Sequence, residues 1–363
     1  MSVAGIPHRG LGRLRHSSAA RRTLVIVLAV SLLVVAALAA TIGAAGIPVQ
    51  RLPAALGWLT SDGDPALLAR DRLVLWTIRL PRIAMAAIIG ALLAAAGAIM
   101  QGLFRNPLAD PALVGVAGGG ALAAAFVIVI GDRLLAASGI HLSFWLLPAA
   151  AFGGSLLATM LLYRIATREN RTSIAVFLLG GLAIASLSNA GIGMLVFTAD
   201  DRQLRDMTFW MLGSISGATW TKVSILAPFL FAMLALVPSI GRGLDLLVLG
   251  ESEAFHMGVE VERLKRRAIV LVSAMTGAAV SFAGIIGFVG IVVPHLLRLV
   301  IGPGHRLLLP ASAVLGAILL LGADTMARTL AAPAEVPIGI LTAIVGAPVF
   351  LSILLRQRGL IGL

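Results

Sequence analysis

The sequence contains no cysteine and only two lysines, Lys222 and Lys265. The first absence excludes disulfides and thiolate metal sites and leaves the compartment undecided. Lys222 follows Thr221 and Lys265 follows Leu264, so the Gly-Lys-Ser/Thr of a phosphate loop is missing and any ATP-driven work must use another subunit. Charge is scarce as well: 12% of the 363 residues are charged and 59% are hydrophobic. Soluble domains run at roughly 25% and 45–50%. Mean hydropathy is +1.03, which together with these fractions marks an all-α polytopic membrane protein. The net charge of +12 does not form a nucleic-acid face, because the basic residues sit in short clusters between apolar runs. None of the six histidines has another at i, i+4, so no metal site is expected at His8, His16, His141, His256, His295 or His305.

Apolar runs broken by charge, Gly or Pro give about ten spans: 22–42, 83–104, 112–131, 143–163, 173–198, 221–240, 268–283, 285–301, 307–327 and 338–355. Arg21-Arg22 and the small-x-small triplet Ala37-Leu38-Ala39 have the form of a signal peptide, but Thr23 to about Ile42 is long enough to span. The organisation expected is a basic tail at 1–21, one transmembrane domain over 22–358 and a short tail at 359–363. Ten spans place both termini on one side. Putting them inside collects 18 of the 28 basic residues there, so cytoplasmic termini are expected. Gly115 and Gly119, Gly153-Gly154, Gly180-Gly181 and Gly191 and Gly193 read as close helix packing rather than phosphate binding.

The longest inward loop runs from Leu244 to Arg267. Within it Gly250 and Gly258 bracket a short helix with Glu251 and Glu253 in its first turn, where acids suit the helix dipole. Ala254, Phe255 and Met257 give this helix an apolar surface, which either fills a groove in a partner or folds back on the bundle. Between spans two and three, Pro107 and Pro111 forbid a continuous helix, and Asn106 and Asp110 are available to bond free backbone groups. In the fifth span Ser186, Asn189 and Gly193 fall at i, i+3 and i+7, with Ser188 adjacent. Such a polar face serves either a translocation path or helix–helix hydrogen bonds.

The string R-L-P-R-I…G-A-L-L-A-A-A-G-A-I-M-Q-G-L-F-R-N-P-L-A-D-P-A-L-V-G-V resembles the signature of the permease subunits of type II ABC importers, the family that carries iron-siderophores, haem and vitamin B12. F-W-M-L-G-S (209–214), L-G-E-S-E-A…M-G-V, G-I-I-G-F-V-G-I-V-V-P-H-L-L-R (284–298) and E-V-P-I-G-I-L-T-A-I-V-G-A-P-V-F (335–350) agree with it in order. The resemblance implies the type II permease fold in the bacterial inner membrane, a homodimer, two ATP-binding cassette subunits holding ATP and Mg, and a periplasmic binding protein. It implies no cofactor bound by this chain. It implies ATPase coupling through Glu251, Ser252, Glu253, Ala254, Phe255, Met257 and Gly258. It further implies docking of binding-protein glutamates on Arg79, Arg82 and Arg328, and a cytoplasmic gate at Asn106, Leu108, Thr172 and Ser173.

Competing readings stand beside these roles. The arginine pair would also anchor helix ends at headgroups, Arg328 would pair with Asp324 four residues earlier, and Thr172-Ser173 would cap the fifth span. The strings incline to haem as cargo, with ferric siderophore and vitamin B12 as alternatives; an ion-coupled carrier is disfavoured, since Asp324 is the only acid well inside a span. On this reading, reversing Arg79 and Arg82 to Glu is expected to abolish capture of the binding protein in a pull-down while ATPase assembly persists; unchanged capture would contradict it.

Overall fold

The structure is a computed structural model that describes residues 18–43, 46–59, 64–111, 115–131, 145–169 and 171–361, with backbone alone at 18–20, 354 and 356–361. His8 and His16 in the tail and His141 in an outer loop lie outside the described residues.

Apolar side chains leave the backbone no water to bond, so each span must close its own hydrogen bonds as a helix. Among the described residues seven helices are long and apolar enough to cross a membrane: α1 (Ser18–Thr41), α3 (Pro65–Leu103), α5 (Leu146–Ala166), α6 (Ile174–Thr198), α8 (Trp220–Leu247), α10 (Val261–Ala283) and α12 (His305–Leu330). Three shorter apolar segments complete ten: α4 (Val116–Gly131), α11 (Val289–Ile301) and the Ile338–Ile353 part of α13 (Ile338–Ile361). Between them lie α2 (Leu52–Leu56), α7 (Asp201–Leu212) and α9 (Glu251–His256), together with a two-stranded antiparallel hairpin, β1 (Thr167–Arg168) and β2 (Arg171–Thr172).

Two features depart from the sequence expectation. The helix that carries the second span starts at Pro65, well ahead of the apolar stretch expected from residue 83, and runs unbroken through Pro81. A wide turn over Val74–Arg79, with the Leu80 amide donating to the Leu75 carbonyl, absorbs the missing proline N–H. The second is α7, an extra amphipathic helix. Asp200 caps it by accepting from Gln203 N at 2.8 Å while Gln203 Oε1 accepts from Asp200 N at 3.1 Å. Gln203 also donates to Val129 O at 3.3 Å, fastening α7 to the end of α4.

The helix α3 is the axis of the bundle, packed on by α8, α10, α11 and α12 and buried along nearly all of its inner two thirds. Two crossings let the backbones touch. A Cβ on Gly90 would lie 2.2 Å from Gly316 O, and one on Gly97 would lie 2.0 Å from Gly290 O. Gly119 of α4 and Gly154 of α5 make a third crossing, each Cβ meeting the other's carbonyl at 2.5–2.6 Å. Gly153 and Gly193, by contrast, have nothing within 4 Å.

These contacts predict that Gly90→Ala lowers stability by about 2 kcal/mol through overpacking. Gly322→Ala in α12, where a Cβ meets nothing within 4 Å, is expected to be neutral or slightly stabilising. Melting temperatures of the two variants in detergent check this, and equal losses would contradict it.

Candidate functional site

At one end of the bundle α1, α3 and α12 and the segment before α13 converge on a charged cluster. Arg82 of α3 donates through Nε to Asp324 at 2.9 and 3.1 Å, and through Nη1 and Nη2 to Glu335 at 2.8 and 3.0 Å. This is the bidentate fork that guanidinium geometry favours. Arg328, one helical turn beyond Asp324, pairs with it at 3.3 Å and donates to Ala39 O and Ile42 O, each at 3.3 Å. Arg79 donates to Ala40 O. The three arginines therefore lie in one cluster, and the Asp324–Arg328 helix pair is present.

Their presentation is corrected. Arg79 and Arg82 are 3% and 7% exposed, so they are not free guanidiniums on an open rim. The reason is that α3 begins some eighteen residues earlier than expected, which carries both arginines inside a helix wrapped by α1 and α12. Charge reversal at Arg82 would thus set a third carboxylate beside Asp324 and Glu335 and disturb the cluster itself. Only Glu335 reaches toward water, with 40% of its side chain exposed. The hydrogen bonds from Arg82 hold its carboxyl below the usual carboxylate range, against a smaller opposing effect of burial.

At the opposite end of the bundle a cavity of about 1210 Å³ is lined by Phe104, Arg105, Thr172, Ser173, Glu251 and Phe255 among others. The predicted coupling helix and one predicted gate thus share a wall. In α9 Ala254 is fully buried against the bundle, whereas Phe255 and Met257 are 66% and 46% exposed. Ala254 is therefore the anchor of the helix and no part of its outer apolar surface. Glu251 is half-buried, and Ser252, Glu253 and Gly258 are exposed. Gly250 enters α9 at φ +130°, and a Cβ there would fall 2.1 Å from Glu253 Oε2.

Among the gate residues, Asn106 is exposed and accepts from Leu108 N at 2.9 Å, closing an Asx turn over Pro107, and Leu108 is half-buried. Thr172 is buried, and its hydroxyl pairs with that of Thr167 at 3.1 Å inside the hairpin, so it does not face the cavity as a free hydroxyl. Ser173 is exposed and caps α6, accepting from Val176 N at 3.4 Å. Phe104, just past the end of α3, packs at a tilt of 37° against Phe177 of α6 with centroids 5.9 Å apart, joining the two helix ends beside the predicted gate residues.

Along α6, Ser186 and Asn189 are exposed on the same open face as Gly193. Ser188 is not on that face. It is 3% exposed and packs on Gly118, whose Cβ would meet its Cβ at 3.5 Å, so it serves helix packing. Of the histidines, His256 is exposed on α9 and His295 is half-buried. His305 is buried against Asp245, at 2.9 Å. Lys265 was passed over in the sequence: its ammonium lies 2.8 Å from Glu251 and 2.9 Å from Glu262. The available signal was a lysine between apolar positions of α10 three residues after Glu262.

The sequence matches the model of the FecCD transport family over residues 28–356. It is 42% identical over 334 residues to the hemin transport system permease protein HmuU of Yersinia pestis, spanning 90% of this chain and 94% of that protein. It is 42% identical over 287 residues to the cobalamin import system permease protein BtuC of Halobacterium salinarum, spanning 79% of this chain and 74% of that one. Among solved structures it is similar to a metal-chelate type ABC transporter in an inward-facing conformation, with a TM-score of 0.79, 30% identity, and coverage of 92% of this chain and 99% of the other.

Because Glu335 is held ionised by Arg82, its contribution to stability is present above the ordinary carboxylate range and lost as the pH falls through its lowered value. The melting temperature of the solubilised protein is expected to drop over that acidic window, and Glu335→Gln to remove this component; an identical pH profile for the variant would contradict the assignment.

Proposed function

The chain belongs to the FecCD transport family, the permease subunits of ABC importers, and from that membership we propose that it passes haem from a periplasmic binding protein into the cytoplasm. The observation that carries haem is the length of the match: identity of 42% runs over 90% of this chain with the hemin permease, against 79% with the cobalamin permease. Import of a cobalamin is the second reading, favoured by the equal percentage of identity in the shorter match.

In this proposal two copies of the chain form the pore in the bacterial inner membrane with their termini in the cytoplasm. Two ATP-binding cassette subunits sit below, holding ATP and Mg, and this chain binds no cofactor and does no covalent chemistry. Exposed Phe255 and Met257 on α9 are the surface that an ATPase groove would receive. The stripe Ser186, Asn189 and Gly193 is a small polar wall past which a flat macrocycle slides without a strong site to hold it. The binding protein docks at the outer cluster of Arg79, Arg82 and Arg328. Arg82 already displays toward Glu335 the carboxylate chemistry this requires, and a partner glutamate would take the place of half-exposed Glu335 on its fork. An ion-coupled carrier is disfavoured because Asp324, the acid within α12, is held between Arg82 and Arg328.

Reconstituting the chain in liposomes with its cognate ATPase and binding protein and following uptake of haem, a ferric siderophore and cobalamin tests the reading. ATP-dependent uptake of haem is expected. Uptake of cobalamin alone would replace the cargo and keep the architecture, and uptake that survives ATP depletion but collapses with an uncoupler would overturn the importer itself.

A further inference from the structure

Within 3.2 Å the Lys265 ammonium meets three oxygens on three different elements. Glu251 Oε2 of α9 is at 2.8 Å, Glu262 Oε1 of α10 at 2.9 Å and the backbone carbonyl of Thr172 in β2 at 3.2 Å. An ammonium has three donors, and all three are used. The side chain is 3% exposed, so removing any acceptor leaves a buried donor without a partner.

The grip on β2 is two-handed. Glu262 Oε2 accepts from Thr172 N at 3.0 Å while Lys265 donates to Thr172 O, so one i, i+3 pair on α10 satisfies both backbone groups of that residue, as a neighbouring strand would. The hairpin has two residues per strand and is marginal by itself, so α10 holds it from outside. Immediately after Thr172, Ser173 caps α6. A continuous line of bonds therefore runs from the helix that meets the ATPase, through one buried ammonium, to the N-terminus of the helix bearing the polar stripe. Residue type supports the same point. Lys265 is one of two lysines among 28 basic residues, and it stands where three acceptors must be reached in three directions, which a compact ammonium does and a planar guanidinium fork does not.

We propose that Lys265 is a positioning residue that couples movement of α9 to the β1–β2 hairpin and the start of α6, so that ATPase closure is passed to the cytoplasmic gate through this ammonium. The proposal rests on the importer reading above. A merely structural lysine would, when replaced, reduce the amount of assembled transporter and lower ATP hydrolysis and uptake together. A coupling lysine would lower uptake per ATP hydrolysed.

The test uses the complete reconstituted transporter with Lys265→Met, Lys265→Arg, Glu251→Gln and the double variant Lys265→Met/Glu251→Gln. Uptake per ATP is expected to fall about tenfold in Lys265→Met and less in Lys265→Arg. The double variant is expected to be no worse than Lys265→Met, because both changes cut the same link. Since the chain has no cysteine, a single Arg171→Cys reports the hairpin-to-hairpin distance between the two copies by spin labelling. That distance is expected to change on ATP binding with Lys265 present and to stay fixed in Lys265→Met. An unchanged ratio of uptake to hydrolysis, equal losses of both, or a hairpin that still moves in Lys265→Met would each overturn the proposal. Absence of ATP-driven uptake by the unmodified complex would instead overturn the importer reading; the spin-label distance needs only ATPase and nucleotide, and would still decide the coupling role.

Discussion

Backbone contact between α3 and its neighbours is the constraint from which the rest of the arrangement follows. Lipid gives helices no hydrophobic reason to associate, so close van der Waals approach must supply the attraction, and that needs positions without a Cβ. Gly90 against Gly316 and Gly97 against Gly290 provide them, seating α12 and α11 directly on α3. With the axis so placed, each end of α3 meets a functional region. Arg79 and Arg82 fall into the outer cluster, while Gln101 donates to Gly290 O at 3.2 Å and accepts from Arg298 just before the Asn106 turn. Moving either crossing would displace both ends at once.

Charge is handled differently at those two ends. Outside, guanidiniums pair with Asp324 and Glu335 in flat forks that brace α1, α3 and α12 against one another. Such pairing is directional, and one partner, Glu335, stays near water. Inside, an ammonium gathers oxygens from α9, α10 and β2. That junction is compact and buried, which favours passing a displacement on over releasing a partner.

Much of this was legible in the residues. The ten apolar helices, the short helix bracketed by Gly250 and Gly258, the Asx turn at Asn106 and the Asp324–Arg328 pair all follow from local rules about hydropathy, capping and i, i+4 spacing. What was not legible shares one property, dependence on a neighbour distant in sequence. The helix start at Pro65 was not expected, because the wide turn that carries the chain through Pro81 is stabilised within a packed bundle. Ser188 looked like part of the path because its burial depends on Gly118. Lys265 looked like one more positive charge in a basic cluster, since two of its three acceptors lie 14 and 93 residues away along the chain.

By itself, then, the sequence determined that this chain spans the membrane about ten times, carries no phosphate loop and has a short helix between Gly250 and Gly258. These are properties of composition and short-range pattern, and the solvent alone enforces them. Only the tertiary structure decided that Arg79 and Arg82 are buried in an ion cluster, that Thr172 is gripped by its backbone, and that three elements converge on one ammonium. Those outcomes depend on which helices touch, and in lipid that is set by close backbone approach between glycines far apart in the chain.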